Sequence, residues 1–231
     1  MLKLSVVIPV YHDKDALLLL LAKLSRADNQ EHFEVIVVQA DKMDDLSSIE
    51  GINIRLINAK APCRAEQFNL GASNAVNEIL YFVHADSIPP SSFVKDINRA
   101  LDAGHLVGGY RLKFSPGIFM LKLNAFITRF SSGFSGGGDQ TLFLPKELFE
   151  EVGGFKEDYC IMEDFELVHR LIPIHGYHVM AKEVTISSRK YKHNSYLRVS
   201  FANYMAFKLY RNKVSPSIIK ERYYGYLNKV K

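Results

Sequence analysis

Asp86 closes the run ILYFVHAD, and Asp13 and Asp41 stand in a similar relation to the earlier runs LSVVIPV and FEVIVV. If these runs are buried parallel strands, all three carboxylates fall beyond strand carboxyl ends, where open α/β sheets bind ligands. A carboxylate in the turn running to Pro89-Pro90 suits a hard divalent cation. Such a cation, bridged to phosphate oxygens, needs only one or two protein carboxylates. Asp86 is therefore a candidate metal ligand. It could instead cap the helix expected over Ser91 to Ala103, although Ser91 and Ser92 lie nearer that start. Glu163-Asp164 is the second feature. Two carboxylates opening an apolar helix offset its macrodipole in any protein. The glycine-rich stretches upstream, Gly153-Gly154-Phe155 and the Ser131 to Gly138 loop leading into Asp139-Gln140, add the close backbone approach that a ligand-binding pair would use.

The elements that must position these groups follow from hydrophobic periodicity. Leu4 to Val10, Phe33 to Val38, Ile52 to Ile57 and Ile79 to Val83 are short β-branched or apolar runs, as buried parallel strands are. Helices are expected over Ala16 to Leu24 and Pro62 to Asn77, the second with Ala65, Gly71, Ala72 and Ala75 to allow close packing. Strands alternating with helices in this rhythm predict an α/β fold with a mostly parallel, Rossmann-like central sheet flanked by helices. The second half predicts strands at Leu106 to Phe114 and Thr141 to Leu144. Helices are expected at Ile118 to Phe130, Lys146 to Val152 and Glu163 to Leu171, the last ended by Pro173. Two weak strands, Tyr177 to Met180 and Val184 to Ser187, lead into a tail of two helices split near Pro216. We divide the chain into a domain over residues 1–193 and a basic helical C-terminal extension over 194–231.

Bulk properties exclude several classes. The 231 residues are 48% hydrophobic and 12% aromatic, enough for one sizeable core. No run resembles a signal peptide or an 18-residue membrane span, which predicts a soluble or peripheral, cytoplasmic protein. The two cysteines, Cys63 and Cys160, are far apart and lack a metal-binding pattern. They predict neither a disulfide framework nor a zinc site, and a reducing compartment. From Lys182 onward, 12 Lys or Arg face two Glu, a balance of +10, so the first 181 residues carry −6 of the net +4. Such a tail is either a solvated face or a contact for anionic partners, such as the inner membrane face. No nucleic-acid-binding motif accompanies the charge.

In order and spacing, LSVVIPVYHD, CRAEQFNLGASNA, YFVHADSIPP and GGFKEDYCIMEDFEL resemble the family-2 glycosyltransferases of GT-A fold. GGGDQ at 136–140 and the late SSRKYKH resemble a bacterial subfamily with a GDQ-type loop. The likeness runs over roughly residues 1–195. It implies transfer of a sugar from a nucleotide-diphosphate sugar to an acceptor hydroxyl, dependent on Mg²⁺ or Mn²⁺ and inverting. Asp86 matches the metal-binding acid of the DxD motif, whose first Asp is His84 here. Asp164 matches the aspartate that serves as general base, with Glu163 beside it. Arg64 and Asn69 match the segment beside the nucleotide, and Pro9, Tyr11 and Asp41 stand at the strand ends that face it. Gln39 replaces the acid that reads the base, with Asp41 displaced by two. The acceptor would approach near Gly138, Asp139 and Gln140, with Arg189 and Lys190 supplementing the metal. His193 is either a late metal ligand or a surface histidine.

Other chemistries fit less well. A nucleotidyltransferase needs a glycine-rich, basic loop after the first strand, and a nicotinamide dehydrogenase needs GxGxxG there; Tyr11-His12-Asp13-Lys14 supplies neither. A non-catalytic nucleotide-sugar binder or scaffold is the alternative that the changes at Gln39 and His84 keep open.

Overall fold

The computed structural model describes residues 1–41, 51–115, 121 and 141–228. The first half follows the expected rhythm: β1 (Leu4–Val10), α1 (Lys14–Leu24), β2 (Phe33–Gln39), β3 (Ile54–Asn58), α2 (Arg64–Asn74) and β4 (Ile79–Phe82). A two-residue strand β5 (Ser87–Ile88), α3 (Phe93–Asp102) and β6 (Gly108–Ser115) come next, then β7 (Leu142–Pro145) and α4 (Lys146–Glu151). The described chain ends with α5 (Glu163–His175), β8 (His178–Ser187), the short α6 (Lys190–His193), α7 (Tyr196–Arg211) and α8 (Pro216–Tyr226). The expected helix over Ile118 to Phe130 and the Ser131 to Gly138 loop lie outside the described residues, apart from a helical Leu121.

The eight strands form one sheet in the order β3-β2-β1-β4-β7-β6-β8-β5. β1 to β4 are mutually parallel, β7 runs antiparallel to both β4 and β6, and β8 is parallel to β6. Strand alternation sorts the core into two layers. Val6, Ile8 and Tyr81 face the side covered by Leu17, Leu20 and Leu21 of α1 and Phe93 and Ile97 of α3. Val7, Leu80 and Phe82 face Phe68 of α2 and Leu167 and Leu171 of α5. Gly71 is the point of closest approach, because a Cβ there would stand 2.2 Å from Val7 Cγ1.

Three local expectations are corrected. The weak strands at 177–180 and 184–187 are one strand, β8, interrupted by a register shift opposite Tyr110 and Arg111. Pro173 does not end α5, which runs two residues further to His175, with Gly176 as its C-cap. The lost Pro N–H falls in the last turn, and Gly176 takes φ 68° where a side chain would be strained. Cys63 and Cys160 are joined in a disulfide, with Cα atoms 4.8 Å apart despite a sequence separation of 97. Sequence spacing says nothing about that proximity, so the inference of a reducing compartment loses its basis.

The tail packs on the helix that bears the carboxylates. Ile219 of α8 and Ala206 of α7 bury against Ile161 and Met162, the residues leading into α5. Phe165 of α5 meets Phe207 edge-on at 5.8 Å, and His169 Nδ1 lies 3.3 Å from the Tyr210 hydroxyl. Among the described residues, no helix is long and apolar enough to cross a membrane.

Candidate active site

A cavity of about 270 Å³ opens beyond the carboxyl ends of β1 and β4. Of the expected site residues, Pro9, Tyr11, Arg64, Asp86 and Arg189 line it. Asp13, Gln67, His84, Cys160 and Tyr224 complete most of the wall. The parallel pairing of β1 with β4 brings the two turns side by side, with Val7 opposite Phe82. Gln67 straps the strand ends together, its buried amide donating to the carbonyls of Val10 and Val38 at 2.9 and 2.7 Å.

Asp86 gains its neighbour through β5. The Asp86 carbonyl accepts the Ser187 amide at 3.2 Å, and Ser87 pairs with Ile186. That register carries the chain past Ser187 to Arg189 beside the cavity. The Arg189 guanidinium makes a two-pronged contact with the Asp13 carboxylate, and its Nη2 stands 3.6 Å from Asp86 Oδ2. Asp13, one of the three strand-end carboxylates, makes no side-chain cap on α1 and faces Arg189. A strand of two residues carries no periodicity, so sequence pattern could not reveal this bridge.

A second cluster begins at His84 on the wall. His84, Glu163 and Asp164 are buried, and a potential ligand atom from each falls within 4.8 Å of the others. His84 Nε2 is 3.4 Å from Asp164 Oδ2, and Arg64 Nε is 2.9 Å from Glu163 Oε1. Burial pushes the Glu163 carboxyl up to about 7, aided by the Asp164 charge and opposed by Arg64 and His84. The cluster is set by an uncommon backbone: Met162, which precedes α5, takes φ 65°. A non-glycine residue in the left-handed region costs roughly 1–2 kcal/mol, which the packing of Ile161 and the disulfide at Cys160 must sustain. The donors of this cluster, two carboxylates and an imidazole, suit a divalent cation.

The remaining expected residues lie elsewhere. Asp41 holds the β1 turn, its Oδ2 accepting the His12 amide at 2.9 Å and thereby supporting the φ of 53° at His12. Gln39 is buried and donates to Asn58 Oδ1 at 2.6 Å. Asn69 clamps the Gly153-Gly154-Phe155 loop, accepting the Phe155 amide at 2.9 Å and donating to its carbonyl at 2.8 Å. Those glycines serve that clamp: both have positive φ, and a Cβ on Gly154 would stand 2.8 Å from Asn69 Oδ1. His193 is exposed, outside the ligand cluster, and its carbonyl accepts from Asn228 Nδ2 at 3.2 Å. Gly138, Asp139 and Gln140 lie outside the described residues. Sequence reasoning missed Gln67 and Tyr224. A buried Gln in a strand-end helix has no distinguishing sequence mark, and Tyr224 is one of many tail aromatics.

A Rossmann-like half sheet completed by β7 and β6, with a carboxylate at the end of β4 and a second acidic pair opening α5, defines the GT-A class of nucleotide-sugar folds. The chain belongs to glycosyl transferase family 2, whose pattern matches residues 5–151. No curated protein matches the sequence significantly. Among solved structures, the mannosyltransferase PcManGT from Pyrobaculum calidifontis, in complex with GDP-Man and Mn²⁺, superposes with a TM-score of 0.67 at 20% identity over 96% of this chain and 68% of that one. S. aureus TarS 1-349 in complex with UDP gives 0.65 at 16% identity over 97% and 70%. Its complex with UDP-GlcNAc gives 0.60 at 19% over 89% and 65%. This chain spans 39% of the longer TarS structure, so it corresponds to part of that protein's length.

Proposed function

We propose that the protein transfers a sugar from a nucleotide-diphosphate sugar to an acceptor hydroxyl, with inversion at the anomeric carbon. The observation that carries this reading is the convergence, beyond the carboxyl ends of the central strands, of Asp86, two arginines and the buried His84–Asp164 pair. In the displacement, the acceptor oxygen bonds to the anomeric carbon as the bond to the diphosphate breaks. Asp164 accepts the acceptor proton. A single base with no covalent nucleophile gives inversion. Arg64 and Arg189, both on the cavity wall, hold phosphate oxygens and the charge that collects on the departing diphosphate. Asp86 and His84, also on the wall, are the residues that would hold a divalent cation. Mg²⁺ or Mn²⁺, when bound, supplies further charge stabilisation to the leaving group. Support for the donor class comes from the fold's relatives, whose complexes contain UDP, UDP-GlcNAc and, with Mn²⁺, GDP-Man.

Asp164→Asn tests the assignment. The amide keeps the shape and much of the hydrogen bonding but cannot take the proton. Donor affinity by calorimetry should stay within a few-fold of wild type while transfer falls by about 10²–10⁴. Full transfer in Asp164→Asn would end the base assignment, whereas donor binding without transfer by the wild type would favour a non-catalytic nucleotide-sugar binder.

A further inference from the structure

The pair of tail helices turns a one-signed, apolar face to solvent. Leu197, Phe201 and Tyr204 of α7 are 75%, 50% and 60% exposed. Their spacing places them on one side of the helix, opposite the buried Val199, Ala202 and Ala206. The same stripe continues into Lys208 and Arg211, both exposed. α7 contains no acidic residue, and residues 196–228 carry six Lys or Arg against one Glu. Phe201 is braced edge-on by Tyr226 of α8 at 5.1 Å, so the stripe is presented by a packed pair of helices.

We propose that this face docks the protein onto an anionic lipid surface. The arrangement supplies both contributions that interfacial helices use: apolar side chains that enter the headgroup boundary, and cations that meet the surface potential. Tyr204 and the long stems of Lys208 and Arg211 suit the boundary itself, where an apolar body and a polar tip are both satisfied. The charge discriminates among occupants. In a two-fold dimer through this face, Lys208 and Arg211 would meet cationic copies of the same patch, and like charges across an interface repel. A neutral apolar groove would cover Leu197 and Phe201 but leave the cations without a counterpart. The inference does not depend on which reaction the cavity performs.

Cosedimentation of the full chain with phosphatidylcholine vesicles, with or without phosphatidylglycerol, tests it. Binding should require phosphatidylglycerol and fade as salt rises, since the surface potential decays within a Debye length. Lys208→Glu with Arg211→Glu should weaken it by about 25-fold or more, at roughly fivefold for each cation lost near the surface. A Leu197→Ser, Phe201→Ser, Tyr204→Ser variant should also lose it while unfolding thermally as wild type does. Equal binding to neutral vesicles, or binding to neither, would overturn the proposal. So would a wild-type dimer by light scattering that the serine variant converts to monomer, because the stripe would then be covered by a second copy.

Discussion

Arg189 Nη2 stands 3.6 Å from Asp86 Oδ2. The same guanidinium clasps Asp13, so one cation from the end of β8 neutralises carboxylates from two different strand ends. The cavity wall therefore holds its own counter-charge. A bound diphosphate would compete with Asp13 and Asp86 for Arg189, and a cation would compete with Arg189 for Asp86.

Removing the guanidinium tests that competition. Arg189→Ala should weaken nucleotide-diphosphate binding by roughly 10- to 100-fold, the range expected for a charge-assisted hydrogen-bond donor. Isothermal calorimetry would read it, and unchanged affinity would show that Arg189 only ties Asp13 to the tail.

Asp86→Ala separates metal from phosphate contacts. Nucleotide binding should lose its dependence on added Mn²⁺, while the thermal unfolding midpoint stays close to wild type, since Asp86 is half-buried at a turn. A variant that keeps the full Mn²⁺ dependence would move the metal role to the buried His84, Glu163 and Asp164.

Glu163 should leave a mark on stability against pH. Its carboxyl is raised to about 7 in the folded protein, from an ordinary value of 4.5, chiefly by burial. Between those values the folded state holds the proton that the unfolded chain releases. The contribution is thus fully present below about 4.5 and is lost as pH climbs through about 7. The slope across that window is at most ~1.4 kcal/mol per pH unit. Denaturant unfolding of the metal-free protein at several pH values should show it, and Glu163→Gln should flatten it.

The Cys63–Cys160 link closes a loop of 97 residues and ties the start of α2 to the segment before α5. Reduction, or Cys63→Ser, should cost roughly 2–4 kcal/mol of stability. It should also weaken donor binding, because Arg64 and Glu163 follow the two sulfurs within one and three residues. Calorimetric melting and donor titration, each with and without a thiol reductant, would check both arms against the serine variant.

Gly71→Ala probes the seam between α2 and the sheet. The added methyl would meet Val7 Cγ1 at 2.2 Å and Val38 Cγ2 at 3.1 Å. Overpacking of this kind costs typically about 1–3 kcal/mol, readable as a lower urea midpoint at constant m-value.

Sequence by itself determined the parallel half of the sheet, because β1, β2 and β4 are short apolar runs whose ends are marked by polar turns. It also placed Asp86 and the Glu163-Asp164 pair, since strand ends and helix starts are local features with local signals. Close packing at Gly71 was legible in the small residues of α2 for the same reason. Tertiary structure decided the rest. Arg189 meets Asp86 only because the two-residue β5 pairs with β8, a contact between segments about 100 residues apart. The disulfide, the Gln67 strap and the arrival of Tyr224 at the cavity likewise depend on long-range pairing that periodicity does not encode. Asn69 and the Gly153-Gly154 turn looked like ligand contacts because loops that bind ligands and loops that are clamped by a neighbour need the same backbone freedom; only their partners in space distinguish them.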